Sequence, residues 1–311
     1  MLGCHGGETP RHRTTCLLID ERITVDAGSV CRSLALDEQV KLDHMLISHS
    51  HMDHVKDLAL LADQVIGRRG LPVMLHCGPE TAETLSSSYF NNYLWPDFTK
   101  IPTPQSPVMM IDVHEAEQAF RIPPPGAGAS SLLAARPKRA TRTGKAGKTG
   151  RAGKGRVGKT AAGRAAARQV AAAPAGPLAV GEYEVLFIPV THPVESMAMI
   201  IRGTTGSILY SSDTGPTTRL WQLANKVTDL RGMFVELSFP NHMQALADVA
   251  GHAADARGRA EEGARPRRDP AVHLPPQADL LRGDQERAGG AAAQEHAPGR
   301  ADRRVRFLTS S

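Results

Sequence analysis

Seven residues, SHSHMDH at positions 48–54, hold three histidines and an aspartate. Imidazole and carboxylate are costly to bury unpaired, and both are good ligands for zinc, manganese or iron. His49 and His51 are two apart, so an extended turn points both rings to one side. Asp53 and His54 come a turn later and can face a second ion. Two ions roughly 3.5–4 Å apart can share a hydroxide and clamp a phosphoryl group. Such a pair needs more donors than one loop provides. His192, in PVTHPVES, stands where an apolar run ends. Asp213, in SSDTG, ends another run before a glycine turn, a place for a bridging carboxylate. A single histidine at a strand end is more often a satisfied polar residue, but the clustered donors of HxHxDH are hard to dismiss as surface loop. His5, His12, His44, His76, His114 and His242 have no such company along the chain and read as structural.

These donors need elements that bring them together. TTCLLID and RITVDAG are short apolar runs separated by a turn, the pattern of a β-hairpin. KLDHMLISH is a further apolar run that stops where the histidines begin. VKDLALLADQVI has helical spacing, with Leu58, Leu61 and Val65 on one face. The cluster then falls in a strand-to-helix loop, where α/β folds place chemistry. YEVLFIPVTH, SMAMIIRG, SILYSSDTG and LRGMFVELSF read as strands, and TTRLWQLANKV as a helix.

A chain of 311 residues can bury a large core. Its formal charge of +5 is unevenly placed. Pro124 to Gly181 carry twelve Lys and Arg and no acid, leaving twenty-five bases against thirty-two acids, or −7, elsewhere. Residues 122–178 are Pro, Gly, Ala and basic residues with little to bury, the composition of a disordered insert in a loop of one domain. Within it GKGRVGKT, Gly153 to Thr160, matches the phosphate-loop pattern. It lacks the strand before and the amphipathic helix after that such a loop requires. A solvated spacer, or loose electrostatic contact with nucleic acid, suits the insert better. No apolar run reaches the roughly twenty residues of a membrane span. The N-terminus has no charged-then-apolar signal pattern. Cys4, Cys16, Cys31 and Cys77 stand singly, without CxxC spacing, and suit a reducing cytoplasm.

HxHxDH, followed by a lone histidine and then an aspartate on later strands, resembles the metallo-β-lactamase superfamily of dinuclear hydrolases. LGCHGG…RTTCLLID, ITVDAGS, ISHSHMDHVKDLALLAD, FNNYLWPDFTKIPTP, SSDTGP…LW and VELSFPN extend the likeness. Together they resemble class II 3′,5′-cyclic-nucleotide phosphodiesterases over about residues 1–115 and 180–252, with NNYLWPDFTKIP the most specific stretch. The resemblance implies an α/β (αββα) sandwich with two divalent ions, zinc foremost, at one sheet edge. His49, His51 and His192 would hold one ion, Asp53 and His54 the other, and Asp213 would bridge them. Asp53, Glu236 and His252 are the catalytic candidates. The last two look like the acid–histidine pair with which related ribonuclease Z-like enzymes handle the leaving-group proton. The implied activity is hydrolysis of cyclic AMP, a small-molecule substrate, to 5′-AMP. Two other readings stand beside it. One is a different hydrolase of this fold, acting on RNA ends, thioesters or lactones. The other is an inactive or nucleic-acid-binding product whose working part is the basic insert.

The pattern breaks after residue 252. The family continues past GH with a strand and a last metal-binding histidine in a segment like YHLKP. Here Ala253 to Ser311 contain no Lys, Ile, Tyr, Met, Asn, Trp or Cys, and Arg, Ala, Gly and Pro dominate. Without apolar periodicity this stretch reads as a non-homologous, disordered tail that supplies no strand and leaves the sandwich incomplete at the C-terminus. His273 to Ala288, HLPPQADLLRGDQERA, can be encoded so that reading one base later gives IYHLKPTYYEEIKSE, which has the missing character. The reading is therefore a metallo-hydrolase domain over 1–252, interrupted at 122–178, with a shift of frame near residue 252. The hidden histidine codon then straddles Pro275 and Pro276. Losing a ligand and the closing elements weakens the second ion most and exposes apolar surface. Restoring the frame by one base should recover solubility, a second zinc equivalent by elemental analysis, and cyclic AMP turnover together. Equal zinc content and turnover without the repair would refute the frame shift.

Overall fold

Short apolar runs, each closed by a turn, make the strands. The computed structural model describes residues 1–126, 176–239 and 241–252, and the strand at 304–309. The first half contributes β1 (Leu17–Ile19), β2 (Ile23–Val25), β3 (His44–Leu46), β4 (Val73–Cys77), the small hairpin β5 (Pro102–Thr103) and β6 (Ser106–Pro107), and β7 (Met109–Val113). β1 and β2 form the expected antiparallel hairpin, and β2, β3, β4 and β7 lie parallel in that order. Then come β8 (Ala119–Ile122), β9 (Tyr183–Pro189), β10 (Met197–Gly203), β11 (Gly206–Tyr210), β12 (Leu230–Leu237) and β13 (Arg304–Thr309). They make a second sheet in the order β13-β12-β11-β10-β9-β8.

Three apolar layers stack these sheets. Helix Asp57–Val65 buries Leu58, Leu61 and Val65 in a cluster with Ile47, Val73 and Leu75 on the outer face of the first sheet. Between the sheets, Ile23, Val25 and Leu46 join Val185, Phe187, Met197, Met199 and Tyr210. Beyond the second sheet, Leu220, Trp221 and Leu223 of helix Arg219–Ala224 pack with Ile188, Ala198, Ile200 and Val235. The order of layers is α/β/β/α, as expected. β10 explains why SMAMIIRG is an unbroken apolar run. Met197, Met199 and Ile201 face the inter-sheet layer, Ala198 and Ile200 the helix layer, so both faces are buried. Each such Met or Ile side chain contributes about 1.5–3 kcal/mol. Among the described residues, no helix is long and apolar enough to cross a membrane.

The basic segment leaves and rejoins the sandwich at one hairpin. Ile122 of β8 pairs with Tyr183 of β9. The buried Arg22 guanidinium donates to the Pro123 and Gly181 carbonyls at 2.8 and 2.5 Å, tying both ends to the β1–β2 turn. Residues 127–175, with the GKGRVGKT match, lie outside the described residues, as does the 253–303 stretch on which the frame-shift reading rests. One expectation for the tail needs correction. RVRFLT at 304–309 forms β13 and pairs parallel with β12, from Gly232↔Arg304 to Leu237↔Thr309. The tail's overall composition hides this short alternation of basic and apolar residues, and an open sheet edge offers it unpaired backbone groups.

The segment joins two strands, β8 and β9, that pair antiparallel. Replacing 127–175 with a turn of about six residues should leave the fold intact and raise unfolding free energy by about 2 kcal/mol, the loop-closure difference. Urea titration checks this; loss of the cooperative transition would make the segment part of the core.

Candidate metal centre

The donors stand at strand ends. β3 stops at Leu46, and the chain turns through Ser48 and His49 into helix Met52–Val55, with His51 in extended conformation as its N-cap. The ITVDAGS loop lies against that helix: Ala27 N–H donates to the His54 carbonyl at 2.7 Å. A Cβ at Gly28 would collide with the Asp53 carbonyl, so only glycine allows this approach. His192 follows β9 and its Nδ1 lies 3.1 Å from the Gly251 carbonyl. Asp213 follows β11 past Ser212, which turns the chain at φ 57°. Ser196 donates its hydroxyl to the Asp213 carbonyl at 2.9 Å. Met197 N–H donates to the Ser48 carbonyl at 3.0 Å, fastening β10 to the histidine loop of the other sheet.

Two donor groups result. His49, His51, His192 and Asp213 have ligand atoms all within 4.8 Å of one another, and so do Asp53, His54 and Asp213. The rings of His49, His51 and His192 stand edge to face with centroids 4.7–4.9 Å apart. Asp213 belongs to both groups: its Oδ2 lies 3.8 Å from His49 Nε2 and 3.4 Å from His54 Nε2. Asp53 Oδ2 lies 3.4 Å from the same His54 nitrogen. Both ring nitrogens are buried and make no hydrogen bond among the described residues. Orphaned buried nitrogens are destabilising, and two of them facing a shared carboxylate fit a pair of divalent ions. Burial, and then the neighbouring His54, hold His49 well below the ordinary imidazole value, so it is the neutral ring that a metal needs. For His54 burial works the same way, but Asp213 and Asp26 outweigh it and raise the ring well above that value.

Beside this centre, Glu236 near the end of β12 is 4 % exposed. It accepts Thr214 N–H on Oε2 at 3.2 Å and meets His252 Nδ1 through Oε1 at 2.8 Å. Ser238 donates its hydroxyl to the same Oε1. Burial raises the Glu236 carboxyl against the pull of His252; burial alone would lower His252, but Glu236 outweighs it and raises the ring. His252 Nδ1 is 4.0 Å from Asp213 Oδ2, so this proton-sharing pair borders the metal donors.

Every residue singled out from the chain, His49, His51, Asp53, His54, His192, Asp213, Glu236 and His252, is thus brought to one place. Asp26 was not singled out, although ITVDAGS contains it. Its carboxylate accepts His54 Nδ1–H at 2.8 Å, Ser48 N–H at 2.8 Å, the Ser48 hydroxyl at 2.9 Å and the Tyr210 hydroxyl at 2.7 Å. An aspartate closing a strand just before Ala-Gly was the available signal. A second correction concerns His44, His76 and His114, which read as isolated. They form a connected row with Asp112, because the parallel register sets residues of distant strands side by side.

Residues 22–119 match the family model of class-II cAMP phosphodiesterases. The metallo-β-lactamase fold protein YhfI from Bacillus subtilis is similar in structure at 16% identity, covering 84% of this chain and 80% of that one, with a TM-score of 0.50. The chain has the metallo-β-lactamase fold. Unliganded yeast PDE1 is likewise similar at 15% identity, covering 81% of this chain and 78% of that one, with a TM-score of 0.51. No curated protein sequence matches. The matched stretch contains HxHxDH, while His192, Asp213, Glu236 and His252 lie beyond it and reach the site through the fold.

Asp26→Asn should weaken metal binding about 10–100-fold, the usual effect of losing the partner that orients a ligating imidazole. Competition against a chromophoric chelator measures it. Asp26→Ala should also cost about 3–5 kcal/mol of stability by stranding buried partners.

Proposed function

We propose that this chain is a metal-dependent hydrolase that opens the 3′ ester of a 3′,5′-cyclic nucleotide, cyclic AMP foremost, to give the 5′-monophosphate. The observation that carries the reading is the meeting of two donor groups at Asp213 in a chain whose HxHxDH stretch matches class-II cAMP phosphodiesterases. On this reading His49, His51 and His192 hold one divalent ion, Asp53 and His54 hold a second, and Asp213 serves both. When bound, such a pair supplies hydroxide at neutral pH and neutralises charge on the phosphoryl oxygens.

The chain's own residues do the rest. Asp26 fixes the His54 ring by taking its Nδ1 proton in a hydrogen bond, which aims Nε2 at Asp213. The Gly251 carbonyl does the same for Nδ1 of His192. His252, with Nδ1 tied to Glu236, has Nε2 to donate a proton to the departing 3′ oxygen, and Glu236 stabilises the charged ring.

With the frame restored after residue 252, the zinc-loaded chain should convert cyclic AMP to 5′-AMP, resolved from 3′-AMP by chromatography, in preference to a bis-aryl phosphodiester. His49→Ala with His51→Ala should lower kcat/KM on the order of 10³-fold, the several kcal/mol that an ion supplies. Zinc retained unchanged after dialysis of that variant would sink the ligand assignment. Turnover of the aryl diester with none of cyclic AMP would sink the substrate.

A further inference from the structure

The row of histidines on β4 and β7 is a second place where metal-ligating side chains converge. Register sets His76 beside Asp112, and His114 follows two residues later, directly after β7 and on the same face. His76 Nδ1 lies 2.9 Å from His114 Nε2 and 3.4 Å from Asp112 Oδ2, and His114 Nε2 lies 3.1 Å from Asp112 Oδ2. A tetrahedral zinc ion with bonds of about 2.0–2.1 Å sets its ligand atoms about 3.3 Å apart. The triangle has the size of one face of that polyhedron.

Hydrogen bonds satisfy at most two of its three edges. If both nitrogens donate to Asp112, the 2.9 Å contact sets two N–H groups against each other. If His76 donates to His114 instead, the His114 lone pair is spent and its contact with the carboxylate is repulsive. A cation satisfies all three at once. The surroundings are also those of a ligand set. His76 Nε2 lies 2.9 Å from His44 Nδ1, the kind of partner that takes a ligating imidazole's other proton and fixes its tautomer. The His114 ring stacks on Phe120, with centroids 3.5 Å and planes 12° apart. The His76 side chain is 1% exposed, whereas those of Asp112 and His114 are 29% and 15% exposed, which leaves water access for a fourth ligand.

We propose that His76, Asp112 and His114 form a further divalent transition-metal site, separate from the donors around Asp213. Two imidazoles and one carboxylate suit zinc-class ions over magnesium or calcium. An ion here would clasp the end of β7 to β4 and stabilise the sandwich by mass action.

The test uses the full chain, stripped of metal and reloaded with zinc alone. Replacing His49, His54 and Asp213 by Ala removes donors from both groups at the proposed catalytic centre. About one zinc equivalent should remain by elemental analysis, and zinc should still raise Tm. Adding Asp112→Ala and His114→Ala should abolish both. If the background does not fold, Asp112→Ala with His114→Ala in the otherwise unaltered chain should lower zinc content by about one equivalent while the cooperative thermal transition persists. Zinc content that is the same with and without Asp112 and His114 overturns the site, and it does so whether or not cyclic AMP is a substrate.

Discussion

The buried carboxylate of Asp26 is the point from which the sandwich and its chemistry are jointly held. Its four donors come from the loop after β3, from the helix that carries His54, and from the end of β11 in the opposite sheet. A carboxylate buried without partners would cost several kcal/mol; here the partners are the groups whose positions matter. Tyr210 reaches it across the inter-sheet layer, so the spacing of the sheets and the aim of an imidazole are set by one side chain. Gly28, two residues on, lets the same loop lie against the Asp53 carbonyl.

Asp213 is the counterpart on the second sheet. It stands past the end of β11 and offers Oδ2 to nitrogens that belong to the first sheet. Metal geometry tolerates distance errors of only about 0.2 Å, far less than a loop alone would hold. The Met197–Ser48 hydrogen bond and the Ser196 contact with the Asp213 carbonyl are the ties that supply this accuracy. Burial on both faces makes β10, which carries them, a stiff support.

Donors that lie close along the chain could be read from spacing alone, and so could strands such as β9 to β12 with continuous apolar runs. His192 and Asp213 were found because each ends such a run. Asp26 escaped because its partners are 22, 28 and 184 residues away. The His44–His76–His114 row escaped for the same reason, with separations of 32 and 38. Parallel pairing creates neighbours that no local pattern announces. β13 failed differently, since a short alternating run vanishes when composition is averaged over a long biased tail.

The split of donors between the sheets also orders events during synthesis. His49, His51, Asp53 and His54 leave the ribosome long before His192 and Asp213, and the basic insert lies between them. At about 5–20 residues per second, that insert alone adds on the order of several seconds to the gap. During it the first sheet has neither Asp213 nor the Tyr210 contact, and the early histidines can hold metal only loosely. Tight capture of an ion by the donors around Asp213 would therefore wait for the second sheet to dock, which would make occupancy of that centre a checkpoint on finished folding rather than a seed for it.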